Sequence, residues 1–149
     1  MTIAELCERH RRIALDSNVL VYLLEAVEPL ALQARQLLNA IEAGMAAGVL
    51  SVIGLAEVCA GPAKRGDLAL VERYADALGS LPGLRIQPIT AEVAVDAAVI
   101  RGARSIGLPD AIHLATARAA GATAFVTNDH RIRGSARLEV VYLDVLTFA

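Results

Sequence analysis

Asp16, Glu57, Asp110 and Asp129 are the side chains of this sequence whose types and surroundings best suit chemistry. Asp16 closes the run RIALD and Glu57 breaks SVIGLAEVCA. Asp110 and Asp129 stand near opposite ends of LPDAIHLATARAAGATAFVTND, where Arg118 is the only other formally charged residue. An isolated buried carboxylate is costly, so acids placed this way either face solvent or turn into a polar site. Four carboxylates in one place repel one another unless a cation sits among them. Carboxylate oxygens without a His/Cys cluster point to a hard ion, Mg²⁺ or Mn²⁺. Such an ion polarises phosphoryl oxygens and lowers the pKa of a bound water, so metal-assisted phosphodiester hydrolysis is the implied reaction class. Everything then depends on the fold bringing the four acids together.

The elements that must do so follow from hydrophobic periodicity. Residues 12–16, 48–52, 84–89, 123–127 and 138–144 read as strands. Between them SNVLVYLLE, PLALQARQLLNAIEAG, IGLAEVCA, DLALVERYADALGS, TAEVAVDAAVIRGARSIG and PDAIHLATARAAG read as helices. Pro29 suits a helix start and Gly44 a stop, and the helix holding Glu57 is expected to end at Gly61–Pro62. Thr90 and Glu92 mark a capped start, as Pro109 and Gly121 mark the first turn and the end of the Asp110 helix. Apolar strands alternating with helices predict a single α/β domain over residues 1–149, its five-stranded, mostly parallel sheet flanked by helices. Strand order is not readable from this pattern.

In such a sheet every strand ends at the carboxyl edge, where the next helix begins. Asp16 and Asp129 follow strands, and Asp110 lies in the first turn of a helix, so all three belong to that edge. The stretch between Asp110 and Asp129 is one helix down and one strand back: about 12 helical residues at ~1.5 Å and about five strand residues at ~3.3 Å cover similar distances. Glu57, one to two turns into its helix, can reach back to the same edge. Ligand sites of open α/β sheets lie there, where strand order reverses.

Taken singly, each residue has an ordinary role. Asp16 suits a helix cap, Asp110 favours a helix dipole and Asp129 suits a turn. Asn18 either bonds locally or orients a ligand, and Thr127 either suits its strand or lends its hydroxyl to the site. His113 shares a helix face with Asp110. Without a second histidine at ligand spacing it reads as a core or supporting residue, and His130 reads as a surface residue. Arg101 and Arg104 precede the Asp110 helix, and Arg131 and Arg133 follow Asp129. They form either a solvated face or contacts to a phosphate backbone.

Composition narrows the class. The longest uncharged stretch, residues 43–56, has 14 residues and three glycines, against roughly 20 apolar residues for a spanning helix. The N-terminus lacks the apolar core of a signal peptide. Cys7 and Cys59 form no CxxC pair. A cytoplasmic protein with reduced thiols and no membrane contact is therefore expected. A net charge of −2 does not advertise nucleic-acid binding, and the basic residues are 13 arginines and one lysine, Lys64.

From about Ile13 onwards the sequence resembles the PIN-domain nucleases, especially the VapC toxins of type II toxin–antitoxin pairs. IALDSNVLVYLL, SVIGLAEVCAGP and GLPDAIHLATARAAGATAFVTNDHRIR carry the resemblance, the last being the most specific. It implies that Asp16, Glu57, Asp110 and Asp129 are the catalytic, metal-binding acids, with Asn18 and Thr127 beside them. It further implies a Mg²⁺- or Mn²⁺-dependent endoribonuclease, a homodimer and a small antitoxin that blocks the site. The extension MTIAELCERHRR, residues 1–11 with the start of the first strand, exceeds what is usual in these toxins, so it either meets a second copy or reflects an early start codon. A haloacid-dehalogenase-type phosphatase would need an acid where Asn18 stands, and a response-regulator receiver would need a late lysine. A PIN fold that holds RNA or protein without cutting is the alternative of a different class. Filled acid positions argue against it.

Overall fold

The computed structural model describes residues 1–148. In chain order the elements are α1 (Ile3–Arg9), β1 (Arg12–Leu15), α2 (Ser17–Leu24), α3 (Leu30–Glu42), β2 (Ala47–Ser51), α4 (Val52–Lys64) and α5 (Leu68–Gly79). There follow β3 (Leu84–Gln87), α6 (Ala91–Ala103), α7 (Leu108–Ala119), β4 (Ala124–Thr127), β5 (Glu139–Tyr142) and a 3₁₀ turn at Leu143–Val145. The five strands form one sheet in the order β3-β2-β1-β4-β5, and every pairing is parallel. The expected architecture is present, with no antiparallel strand in the sheet.

The strands read as unbroken apolar runs because both faces are covered. Ile13, Leu15, Leu50, Ala124 and Val126 point into one core with α1, α2, α3 and parts of α4 and α5. Ala14, Val49 and Phe125 point into the other, against α6 and α7. Successive side chains of β1 and β4 therefore serve opposite cores, as the period of two requires. Among the described residues no helix is long and apolar enough to cross a membrane.

The order also locates the reversal. From β1 the chain moves outward through β2 to β3, then returns to the other side of β1 as β4. The switch point lies between β1 and β4, with Leu15 paired to Val126. Asp16 follows the first of these strands and Asp129 the second, so both flank the crevice where such sheets bind ligands.

Several boundaries differ from the sequence reading for physical reasons. The Glu57 helix does not end at Gly61–Pro62; Pro62 is inside α4, which runs to Lys64. Gly61 brings no Cβ against the proline ring, and the last turn closes through Arg65 N–H to Gly61 O at 3.3 Å and Gly66 N–H to Ala63 O at 3.0 Å. The fifth strand gives way to the 3₁₀ turn after Tyr142. Residues 1–11 are structured: Thr2 and Glu5 cap α1 reciprocally, with Glu5 N–H on Thr2 Oγ1 at 3.1 Å and Thr2 N–H on Glu5 Oε2 at 2.7 Å. Ile3, Leu6 and Cys7 join the larger core. His10 fixes the far end of α1 to the sheet, 2.7 Å from Glu139 and 2.9 Å from Thr123.

Gly83 makes the turn into β3 at φ +79°, and a Cβ there would lie 2.6 Å from the Ile41 carbonyl oxygen. Gly83→Ala combines left-handed strain with a backbone clash. It is expected to cost about 1–3 kcal/mol, read as a lower urea midpoint at unchanged slope.

Candidate metal centre at the carboxyl edge

Asp16 is the anchor. It stands at the N-cap of α2, yet its side chain makes no capping bond. The carboxylate is nearly buried at 5% exposure and its partners lie across the sheet. Thr127 Oγ1 donates to Asp16 Oδ2 at 2.7 Å, and Asn18 Nδ2 lies 3.4 Å from the same oxygen. Thr127 Oγ1 accepts from Asp129 N–H at 3.0 Å and from Asn18 Nδ2 at 3.2 Å. Asn18 Oδ1 in turn accepts Asn128 N–H at 3.3 Å. One hydroxyl at the end of β4 thus ties Asp16 to the Asp129 turn. The plain strand-former reading of Thr127 is insufficient, because its hydroxyl is fully buried and used.

Glu57 comes from α4, whose first turn is capped by the Ser51 hydroxyl at the end of β2. Its side chain remains 37% exposed and meets His113 Nε2 at 2.6 Å. The same ring nitrogen lies 3.6 Å from Asp16 Oδ1. A nitrogen facing two carboxylates carries the hydrogen, which leaves buried Nδ1 without a partner. The His113 bond holds the Glu57 carboxyl below the usual carboxylate range, with a smaller contribution from Ser17. One atom each of Asp16, Glu57 and His113 lie within 4.8 Å of one another.

Gly54 allows this approach of α4 to α7. A Cβ there would collide with the Leu50 side chain and lie 3.1 Å from His113 Cε1. Gly54→Ala is expected to push the helices apart at about 1–3 kcal/mol, the usual cost of overpacking. It should weaken divalent-ion affinity by about 10–100-fold, as losing an orienting contact does. Calorimetric ion titration beside a thermal melt separates the two effects.

Asp110 lies in the first turn of α7, where Pro109 and the Gly107 cap set the start. Burial pushes its carboxyl up, and the negative charges of Asp16 and Asp129, then Glu57, add to that rise; His113 opposes them. Asp110 therefore senses all three other acids. Asp129 is held differently. Arg131 grips it with Nε at 2.9 Å and Nη2 at 2.8 Å, which keeps Asp129 below its ordinary value. Neither Asp110 nor Asp129 belongs to the tight triad, and His113 does.

Ser17 and Asn128 are the contributors that sequence reasoning left aside, whereas His113, expected as a core or supporting residue, supports Glu57 directly. For His113 the available signal was its position three residues after Asp110, one helical turn along the same face. His130 is exposed as expected, stacked on Tyr142 at 4.0 Å and paired with Asp144 at 2.8 Å.

The donor set fits a hard divalent cation. It offers carboxylate oxygens from Asp16, Glu57, Asp110 and Asp129, among them an acid, Asp110, whose charge is disfavoured by burial and by its neighbours. A cation would relieve that repulsion.

The PIN domain family model matches residues 13–138. No curated protein matches the sequence. Solved structures do. FitAcB from Neisseria gonorrhoeae superposes with a TM-score of 0.69 at 25% identity, over 90% of this chain and 99% of that one. A toxin–antitoxin complex from Klebsiella pneumoniae gives 0.63 at 25% identity, over 85% and 94%. At 19% identity, VapC20 from Mycobacterium tuberculosis, a toxin that cleaves the sarcin–ricin loop, shares the fold at 0.61, over 76% and 86%.

Proposed function

The chain belongs to the PIN domain family, and from that membership we propose that it is a Mg²⁺- or Mn²⁺-dependent endoribonuclease, the toxin of a toxin–antitoxin pair. The observation that carries the reading is the gathering of Asp16, Glu57, Asp110 and Asp129 at the switch point, with Asp110 pushed up by burial and by the charges of the other three. Asp16 is nearly buried and Asp110 and Asp129 are half-buried, and like charges gathered at a partly buried cleft are a mark of functional sites.

Asp16 and Asp110 would hold the principal ion, and Glu57 and Asp129 would complete the site or position a second. When bound, the ion supplies Lewis-acid polarisation of the phosphate and of water. The residues supply the rest. Thr127 and Asn18 hold Asp16 Oδ2, while Oδ1 faces Ser17 and His113. His113 fixes the Glu57 carboxylate, and Arg131 neutralises Asp129 until it is needed. The structural neighbours that are toxin–antitoxin complexes support a small antitoxin partner; a homodimer and a cytoplasmic location complete the proposal.

Cleavage of a defined single-stranded RNA by purified protein tests this, with Mn²⁺, Mg²⁺ and EDTA in parallel and Asp16→Asn alongside. Cutting that needs the ion and disappears in the variant supports the reading. If neither protein cuts while the wild type alone binds Mn²⁺, the enzyme reading fails and a non-catalytic RNA- or protein-binding module replaces it. Co-purification with the product of a short reading frame directly upstream, and silencing of the cutting by it, would support the antitoxin.

A further inference from the structure

Arg104, Arg131 and Arg133 meet beside the acids although they come from two distant segments. Arg104 is the C-cap residue of α6, and the other two follow Asp129 on the loop after β4. Together with Ser105, Ile106 and Gly134 they line one hollow of about 330 Å³. Arg101 does not line it. We propose that this hollow seats a backbone phosphate of single-stranded RNA next to the one being cut, an inference that rests on the ribonuclease reading above.

The charges are arranged for an anion. Arg104 and Arg133 have no carboxylate within 4.0 Å among the described residues, although like charges in one hollow repel unless an anion joins them. Arg104 is held beforehand, its Nη1 donating to the backbone carbonyl of Arg133 at 2.7 Å. A guanidinium fork matches phosphate oxygens better than a point charge does.

Position gives the hollow its meaning. Arg131 borders it and grips Asp129, so the hollow abuts the acid centre. A polyanion approaching four carboxylates on a chain of net charge −2 needs compensation. The divalent ion compensates for the scissile phosphate, and these arginines for its neighbour. An incoming phosphate also competes with Asp129 for the Arg131 fork, which would free that acid. The basic lining continues from Arg104 and Arg133 into an adjoining small hollow with Arg118 and Ser135, a path along which the strand would leave the site.

The test is fluorescence anisotropy of a fluorescein-labelled 12-nucleotide single-stranded RNA on full-length protein in EDTA, across a NaCl series. The Arg104→Ala/Arg133→Ala double variant should bind about tenfold or more weakly. Its salt slope should flatten by about 0.7, the value for one phosphate of a single strand. The corresponding double lysine variant should regain the slope but not the full affinity. Arg85→Ala, on β3 away from the hollow, should match the wild type, and an unchanged Mn²⁺-induced melting shift shows that the variants are folded. If the wild type binds and cleaves RNA while the double alanine variant keeps both affinity and slope, the seat is overturned and the ribonuclease reading stands. Wild-type cleavage without any binding in EDTA also overturns it, because the seat is preformed. Neither binding nor cleavage by the wild type overturns both.

Discussion

Asp110→Asn is expected to reduce RNA cleavage about 1,000-fold or more while making the ion-free protein more stable than the wild type. The loss follows from removing one member of a group that acts as a unit. The gain follows from the same surroundings read without an ion. Burial and the charges of Asp16, Asp129 and Glu57 raise the Asp110 carboxyl in the folded state, whereas the unfolded chain keeps the ordinary value. Above the folded value Asp110 is ionised in both states, and its charge penalises only the folded one. As pH falls through the folded value, the native protein takes up the proton first and the penalty shrinks. Below the unfolded value it is gone. The asparagine variant should therefore melt higher than the wild type in EDTA at neutral pH, and the difference should close as pH falls through the carboxylate range. Mn²⁺ should reverse the order, since an ion at 100 times its Kd adds about 2.7 kcal/mol to a protein that binds it. Equal melting in EDTA, or an equal Mn²⁺ shift in both proteins, would show that Asp110 is an ordinary first-turn acid.

Thr127→Val carries the second large expectation, and it separates support from catalysis. The substitution keeps volume and β-branching, so packing at the end of β4 is preserved. It removes the hydroxyl that donates to Asp16 Oδ2 at 2.7 Å and accepts from Asp129 N–H and Asn18. A buried carboxylate that loses its best donor costs about 1–3 kcal/mol or more. Divalent-ion affinity should fall by about 10–100-fold, as it does when a group orienting a ligand is lost. Thr127→Ser, which keeps the hydroxyl, should recover most of the affinity. Activity in Thr127→Val should return in part at high Mn²⁺, an outcome not expected for Asp16→Asn. A stability loss with unchanged ion affinity would assign Thr127 to the strand alone.

The shared edge was legible in the sequence because Asp16 and Asp129 follow strands, Asp110 opens a helix and Glu57 interrupts an apolar run early in one, and a parallel sheet brings such positions to one edge. Strand order was not legible, since the pairing of β1 with both β2 and β4 is a long-range packing outcome. His113 shows the same limit on a smaller scale. Its helix face could be read from its spacing to Asp110, but its contact with Glu57 depends on Gly54 letting α4 close on α7. The Arg131 grip on Asp129 is a side-chain arrangement that no periodicity encodes. The first helix was a different case: Thr2 and Glu5 form the reciprocal cap spacing that announces a helix start, and that signal was present in the residues read as an extension. At Pro62 the rule that proline ends helices lost to its place in the final turn after a glycine.

Whether Asp16 and the acids around it form one divalent-ion centre is decided by calorimetric titration of Mn²⁺ into wild type and Asp16→Asn. Wild type should bind saturably and release Mn²⁺ to excess Mg²⁺, and Asp16→Asn should bind at least about tenfold more weakly, the scale on which even orienting residues act. Equal binding by the two proteins, or no binding by a folded wild type, would mean that these acids form no such centre.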